Sequence, residues 1–457
     1  MVAADAGLGR YIKPKNPETL KKRVLIISYY WPPAGGPGVQ RWLKFVKYLG
    51  DYGVEPVVYV PENPHYPVTD ESFEKEVPSG ITVIKRPVWE PYAMASVFSG
   101  KKTREISSGM ITVKKQSPAE RILLWIRGNL FIPDARKFWV KPSVRYLTGY
   151  LNKEGIDTII TTGPPHSVHL IGMKLKRKNG VRWIADFRDP WTSISYHEKL
   201  KLSSFARKKH EQLEHHVLNG ADRLLVTSFT TAEEFRKKTT VPVSVITNGY
   251  DLTFTENIPP DPTFTIAHIG SLLTERNPVI LWESLAELVS EHRDFADNLV
   301  LKFAGTVSPE IHRTLKNYGL DRFLELPGYV SHEEALRLQR SARLLLLLEI
   351  DSEETRGIIP GKLFEYLVAR RPILAIGPEG WDVAKIIAET GAGIALTYTA
   401  KDAVKARIFK SYEKFLWNKS TVPASGIQKY SRKNLTAKLA ALLHDVDDRQ
   451  ENGHEPG

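Results

Sequence analysis

Five short stretches of the chain combine residue types that can hold an anion or handle a proton. In Ile359-Pro-Gly361-Lys362-Leu-Phe-Glu365-Tyr366, Pro-Gly-Lys opens a helix. Free backbone amides at a helix start and the lysine ammonium then converge on one anion site. Glu365 lies one turn further on. Like charge keeps it from that anion, but a carboxylate there suits two hydrogen bonds from a ribose diol. Gly270-Ser271-Leu-Leu-Thr-Glu-Arg276-Asn277 follows a strand pattern and offers Arg276 to a phosphate. Gly35-Gly36-Pro37-Gly38 joins a strand to a helix, where glycine lets the backbone approach a ligand. A complete dinucleotide fingerprint would carry glycine at position 41. The chain has Arg41, which weakens a nicotinamide reading. Thr162-Gly163-Pro-Pro-His166-Ser167 sets His166 at a strand-to-helix turn, where a neutral imidazole can hydrogen-bond a hydroxyl or a phosphate. In Trp183-Ile-Ala-Asp186-Phe-Arg188-Asp189-Pro-Trp191, three charges crowd a strand end and must either pair or rim a polar cleft. Each stretch has a plainer alternative: a tight turn, a helix cap, a solvated arginine, a packed histidine, or an ion pair between Arg188 and an aspartate.

The elements that position these residues alternate. Short apolar strands are expected at 23–28, 56–60, 158–161, 182–185, 223–227 and 243–246. Between the first two, Val39, Trp42, Leu43, Val46 and Leu49 repeat at the spacing of one buried helix face. A Pro-rich stretch, 258–262, interrupts the pattern, which restarts with strands at 265–269, 300–304, 344–348, 372–376 and 394–397. Ser331-His-Glu-Glu334 is a capping box that opens a helix. Buried strands separated by helices imply parallel sheets covered on both faces. The expected fold is therefore α/β, two doubly wound parallel-sheet domains in tandem. The division is an arm at 1–20, a first domain at 21–250, a linker at 251–264, a second domain with terminal helices at 265–445, and a flexible tail at 446–457. Ligands of such sheets bind outside the carboxyl ends of the strands, here the cleft between the domains.

Charge separates the two halves. The chain of 457 residues carries a net +12. Residues 1–250 hold 39 basic and 23 acidic side chains, whereas 251–457 hold 25 and 29. The excess peaks at 101–150, with 11 basic and 3 acidic residues. Within it, Ile122, Leu123, Trp125, Ile126 and Leu130 sit beside Arg121 and Arg127, flanked by Lys114, Lys115, Arg136, Lys137 and Lys141. A basic amphipathic segment with tryptophan can lie in a membrane interface, and the alternative is a core helix with a solvated basic face. Zero cysteine excludes disulfides, thiolate chemistry and cysteine-ligated zinc, and fits the cytoplasm. No apolar run reaches the ~18 residues of a membrane span.

Taken in order along residues 22–445, the motifs resemble the GT-B glycosyltransferases, most closely the family-4-like, nucleotide-sugar-dependent group. The resemblance rests on the Gly35-Gly36 loop, Pro164-Pro-His166-Ser, Asp186-Phe-Arg-Asp-Pro-Trp191, Asn248-Gly-Tyr-Asp251 and Pro360-Gly-Lys-Leu-Phe-Glu365 through Arg371-Pro372. It implies two Rossmann-like domains, with the donor bound by the second and the acceptor by the first. Glu365 would hold the donor ribose, and Gly361, Lys362 and Arg276 the diphosphate, with the Gly35 and Gly36 amides closing over it. His166 would contact the transferred sugar. Transfer with retention and without a metal is also implied, and no cofactor is expected beyond the nucleotide-sugar substrate. The lone D-x-D element, Asp445-Val-Asp447, lies in the terminal region and is discounted. Asp189 is the best local candidate for a base. Two positions depart from the family. Gly357 stands where a second glutamate is usual, with Glu353 and Glu354 just upstream, and Ser271 stands where arginine is frequent. The expected partners are a nucleotide sugar, a glycan or lipid-linked acceptor, and an anionic membrane on its cytoplasmic face, touched through Lys114, Lys115, Arg121, Trp125 and Arg127. Three other readings fit the same residues. One is an epimerase or phosphorylase of this architecture. Another, prompted by Gly357, is a non-catalytic nucleotide-sugar-binding protein. A nucleic-acid binder is the third, but no recognition motif accompanies its charge.

Overall fold

Nearly continuous apolar runs become the inner strands of two parallel sheets. The computed structural model describes residues 21–90, 118–193, 200–251, 257–418, 422 and 425–451. In the first domain, β1 (Lys22–Ser28), β2 (Val54–Pro61), β3 (Thr82–Arg86), β4 (Thr158–Gly163), β5 (Arg182–Phe187), β6 (Arg223–Val226) and β7 (Val243–Val245) pair in the order β3-β2-β1-β4-β5-β6-β7. The second sheet holds β8 (Phe264–Ile269), β9 (Leu299–Ala304), β10 (Leu324–Gly328), β11 (Leu344–Leu348), β12 (Ile373–Gly377) and β13 (Gly393–Thr397), ordered β10-β9-β8-β11-β12-β13. Every named pairing is parallel, so crossover helices must cover the faces.

Those helices are α1 (Pro37–Leu49), α2 (Pro118–Leu130), α3 (Lys137–Glu154), α4 (Ser167–Asn179), α5 (Ser204–Gly220) and α6 (Phe229–Lys238) in the first domain. The second has α7 (Val279–Glu291), α8 (Arg293–Asn298), α9 (Pro309–Asn317), α10 (His332–Ser341), α11 (Gly361–Ala369), α12 (Asp382–Thr390) and α13 (Lys401–Leu416), and the last helix is α14 (Arg432–Glu451). The expected face of α1 is fully buried: Val39, Trp42, Leu43, Val46 and Leu49 all join the first core. At α10, the Ser331 hydroxyl accepts from the Glu334 amide at 3.2 Å, the capping bond its sequence predicts.

Three expectations change. Strands β3 and β10 were not anticipated, because both are sheet edges whose side chains are largely exposed and so carry no apolar run. Helix α14 runs to Glu451, beyond the expected tail start at 446, since no glycine or proline interrupts 432–451. It also leaves the second domain. Leu435, Leu439, Ala440 and Leu443 enter the first-domain core beside α1, and Lys22 Nζ donates to the Leu443 carbonyl at 2.8 Å. Apolar residues spaced by four on α14 complete a face that α1 alone leaves open. The expected arm at 1–20 and the linker residues 252–256 lie outside the described residues.

Candidate active site

Strand order reverses once in each sheet, between β1 and β4 and between β8 and β11. Adjacent loops diverge there and leave a crevice at the carboxyl ends of the strands. All five motifs follow strand carboxyl ends, four of them after the strands that flank these two crevices.

At the first, Gly36 turns the chain into α1 with φ at +97°. The Gly35 amide donates to the Val68 carbonyl at 2.9 Å, so it is committed within the loop rather than offered to a ligand. Gly38 makes way for Arg188: a Cβ there would lie 1.7 Å from Nη1. Arg188 reaches across from the end of β5 and donates to the carbonyls of Gly163, at 3.2 Å, and Pro164. One guanidinium thus ties together three strand-end loops. The anticipated ion pair between Arg188 and an aspartate is not formed. Asp186 pairs instead with Arg41, at 2.8 Å, and also accepts from Trp42 Nε1 at 2.8 Å and Thr162 Oγ1 at 2.9 Å. Arg41 spends its remaining donors on the carbonyls of Ile246 and Thr247. Both partners are fully buried, which makes this pair a fastening of the fold. It also explains why position 41 holds no glycine.

His166 is buried just before α4, its ring stacked on Trp191 with centroids 4.7 Å apart and planes 4° from parallel. Trp191 Nε1 in turn donates to His210 Nδ1 at 3.1 Å. The start of α4 is closed to anions, because Asp134 accepts from the Ser167 amide and hydroxyl at 2.9 and 2.8 Å. Asp189 opens into the cleft, yet surrounding protein pushes its carboxyl above the ordinary range against the pull of Arg188. A carboxyl so placed is suited to taking a proton.

Between the domains lies a cavity of about 420 Å³, lined on one side by Arg188, Asp189, Ser193, Thr227, Thr230 and Asn248 and on the other by Glu353, Glu354, Gly357, Ile358 and Ile359. Gly357 sits where the domains meet. A Cβ there would lie 3.1 Å from Ser228 Oγ and 3.4 Å from Thr230 Cβ, so a glutamate at this position would wedge the cleft. Glu353 and Glu354 bring carboxylates to the same cavity from one turn upstream. Of the expected site residues, Asp189 lines this cavity, whereas His166, Gly35, Gly36, Arg276, Gly361, Lys362 and Glu365 do not.

The second crevice gathers the cations. Gly270 turns at φ +114°, and Lys362 Nζ lies 3.0 Å from where its Cβ would be. The N-cap of α11 is Pro360, whose side chain cannot cap it, and among the described residues no carboxylate is seen to bond the first amides of that helix. Burial first, and then Arg276, draw the Lys362 amine down to about 8. Arg276 is clamped by Glu349, with Nε and Nη2 donating to its two oxygens at 2.9 and 3.1 Å. Glu349 is fully buried, so the pair is locally neutral and Lys362 supplies the net positive charge. Glu365 accepts from Gln339 Nε2 at 2.8 Å, which fixes its orientation. Sequence reasoning missed Glu349, Gln339 and His268. A carboxylate straight after the all-leucine strand 344–348 was a usable signal for the first. A histidine and a glutamine inside regular elements gave none.

On the first-domain surface, α2 buries Leu124 and seats Gly128 against Leu200 and Leu202. Ile122, Trp125 and Leu130 are exposed at 60, 46 and 56 %, so this helix is not an ordinary core helix with a basic outer face. Arg121 is exposed beside them and Arg127 half-buried. Arg136, expected on this basic surface, is buried against Glu90 and the Tyr29 ring instead. Lys114 and Lys115 lie outside the described residues. Among the described residues, no helix is long and apolar enough to cross a membrane, and no three His, Asp or Glu side chains gather as a metal cluster.

Two doubly wound parallel sheets facing one cleft define the GT-B fold. Residues 111–254 match the model of the family described as Glycosyltransferase Family 4. That match covers under a third of the chain, and the GT-B fold is the one the motifs imply. No curated protein matches it. Among solved structures, Anabaena HepE in complex with UDP is similar with a TM-score of 0.58 at 13% identity, over 93% of this chain and 100% of that one. The lipopolysaccharide outer core galactosyltransferase WaaB, in its apo form, gives 0.55 at 14% identity over 93% and 99%. The N-terminal domain of Candida albicans trehalose-6-phosphate phosphatase gives 0.56 at 15% over 96% and 99%. At these identities the likeness is one of fold.

Proposed function

We propose that the protein is a glycosyltransferase that moves a sugar from a nucleotide-sugar donor to a glycan or lipid-linked acceptor. The observation that carries this reading is the second crevice. A half-buried lysine and a clamped arginine meet the start of a helix at the switch point of a parallel sheet. Such a site suits a diphosphate, and HepE carries UDP on the same fold. Charge builds on the leaving nucleoside diphosphate as the glycosidic bond breaks. Lys362, Arg276 and the α11 amides stand preorganised to meet it. Closure of the cleft would bring the Asp189 carboxyl and the His166 loop towards the reacting sugar and exclude water. The family resemblance adds retention of configuration and independence of metal, with the cationic work falling to Lys362 and Arg276. The exposed Ile122, Trp125 and Leu130 beside Arg121 support an acceptor met at an anionic membrane surface on the cytoplasmic side.

The test is incubation with a panel of nucleotide sugars, with and without a membrane extract, while nucleoside diphosphate release is followed. Release that depends on the extract is expected. Lys362→Ala should abolish donor binding. Released nucleotide with epimerised sugar, or donor binding without turnover, would replace this reading with an epimerase or a binding protein.

A further inference from the structure

The second crevice holds a buried histidine that its motifs do not single out. His268 lies on β8, wholly inside the domain. Its Nδ1 is 3.2 Å from the Leu346 carbonyl oxygen on β11. A carbonyl oxygen can only accept, so the bond to Leu346 places the proton on Nδ1 and leaves Nε2 a lone pair, with the Ser271 backbone also bonded to the ring. That lone pair faces Lys362 Nζ at 3.3 Å. We propose that His268 is a positioning residue of this site: its neutral imidazole accepts from the Lys362 ammonium and holds it over the Gly270 turn for a nucleoside diphosphate. The proposal rests on the nucleotide-sugar reading above.

A lysine on a helix start has a long, freely rotating stem, and burial strips its ammonium of water. Without an acceptor it would swing out or lose its proton. The groups that face Lys362 are His268 from β8, Arg276 from the turn after β8, Glu349 from the end of β11 and Glu365 on its own helix. Both carboxylates already have partners, Arg276 and Gln339. Among the described residues, His268 is the group within hydrogen-bond distance of the amine. Burial first, and then the charge of Lys362, keep the imidazole neutral.

The pH dependence follows in sign. The Lys362 amine is charged below about 8 and loses its charge as pH rises through that value. Diphosphate binding that needs the ammonium must weaken by up to about tenfold per pH unit above it. An acceptor favours the charged form, so removing the acceptor moves this fall to lower pH.

Two measurements on the full chain test the proposal. The first reads the pH midpoint of Lys362 modification by an amine-reactive label, followed by peptide mass spectrometry without nucleotide. The second reads the affinity for UDP, GDP and ADP by calorimetry from neutral to alkaline pH. In His268→Phe the labelling midpoint should fall, and affinity for the preferred diphosphate at neutral pH should drop by about tenfold. His268→Gln, whose side-chain oxygen can accept the same bond, should restore both. A melting curve confirms that each variant is folded. An unmoved labelling midpoint in folded His268→Phe overturns the proposal whatever the nucleotide result. A midpoint that moves while no diphosphate binds even the wild type overturns the donor role, and with it the nucleotide-sugar reading, but leaves the coupling of the two residues standing.

Discussion

Arg41 and Asp186 show what a buried charge does here when it is not part of the chemistry. Burial pushes the Asp186 carboxyl up, but Arg41, Trp42 and Thr162 more than reverse this and leave it below the ordinary range. A depressed carboxyl stabilises the fold at neutral pH, and that stability is lost as pH falls through the carboxylate range. Arg41→Ala would leave a charge buried without its partner, at a cost of about 3–5 kcal/mol. The pH dependence should also weaken. In the variant, burial acts on Asp186 against the Trp42 and Thr162 hydrogen bonds alone, so the gain in stability from acid to neutral pH should be smaller than in the wild type. Urea denaturation at the two pH values checks both outcomes. The same residues show how much of the site could be read in advance. Asp186, Arg188 and Asp189 are visible as a cluster, yet their roles separate only in three dimensions. One is fastened behind the sheet, one ties loops and one opens to the cleft. Lys362 and Arg276 stand out in the sequence as cations near glycine turns, and the structure brings both to the second crevice. His268 does not stand out, since a polar side chain inside a strand leaves no periodic trace, whereas Glu349, straight after an all-leucine strand, could be read.

Elements with strong periodicity are the ones a sequence displays. The inner strands of both sheets are nearly all apolar and sit close to where they are expected, and α1 shows its face at once. Edge strands β3 and β10 are paired on one side and wet on the other, so their residues look like loop. Helix α14 is visible as an element, but its docking partner is not, because apolar spacing says that a face is buried and not against what. Its position has a consequence. Leu439 is fully buried in the first-domain core although it lies in the last helix of the chain. Leu439→Ala should cost about 2–5 kcal/mol. The loss should fall on the first domain. Hydrogen exchange should quicken in α1 and β1 while α7 and β9 stay protected, and uniform loss across both domains would contradict this assignment.

At the scale of the whole molecule, the two halves carry opposite charge surpluses and face each other across the cleft. The net +16 of residues 1–250 is far more than a diphosphate site needs, and it belongs to the half with the exposed aromatic helix α2. Besides the docking of α14, a shared carboxylate joins the halves. Asp382, in the first turn of α12, accepts from the Phe229 amide at 2.6 Å, the Thr230 amide at 3.1 Å and the Thr230 hydroxyl at 2.8 Å, all at the start of α6. One negative charge therefore serves the positive ends of two helices from different domains. Beside it, Gly357 lets the second domain approach Ser228 and Thr230 without a side chain between them. Asp382→Ala would leave two amides at the start of α6 without their charged acceptor, a loss of about 1.5–3 kcal/mol per such bond. The seam is the place where that loss is felt, so the domains should part. Small-angle scattering should give a larger radius of gyration for the variant. Donor binding should persist, because Lys362, Arg276 and Glu365 all belong to the second domain, but turnover should fall as Asp189 and His166 are no longer brought to the donor. A variant with unchanged scattering and full turnover would show that closure does not depend on this contact.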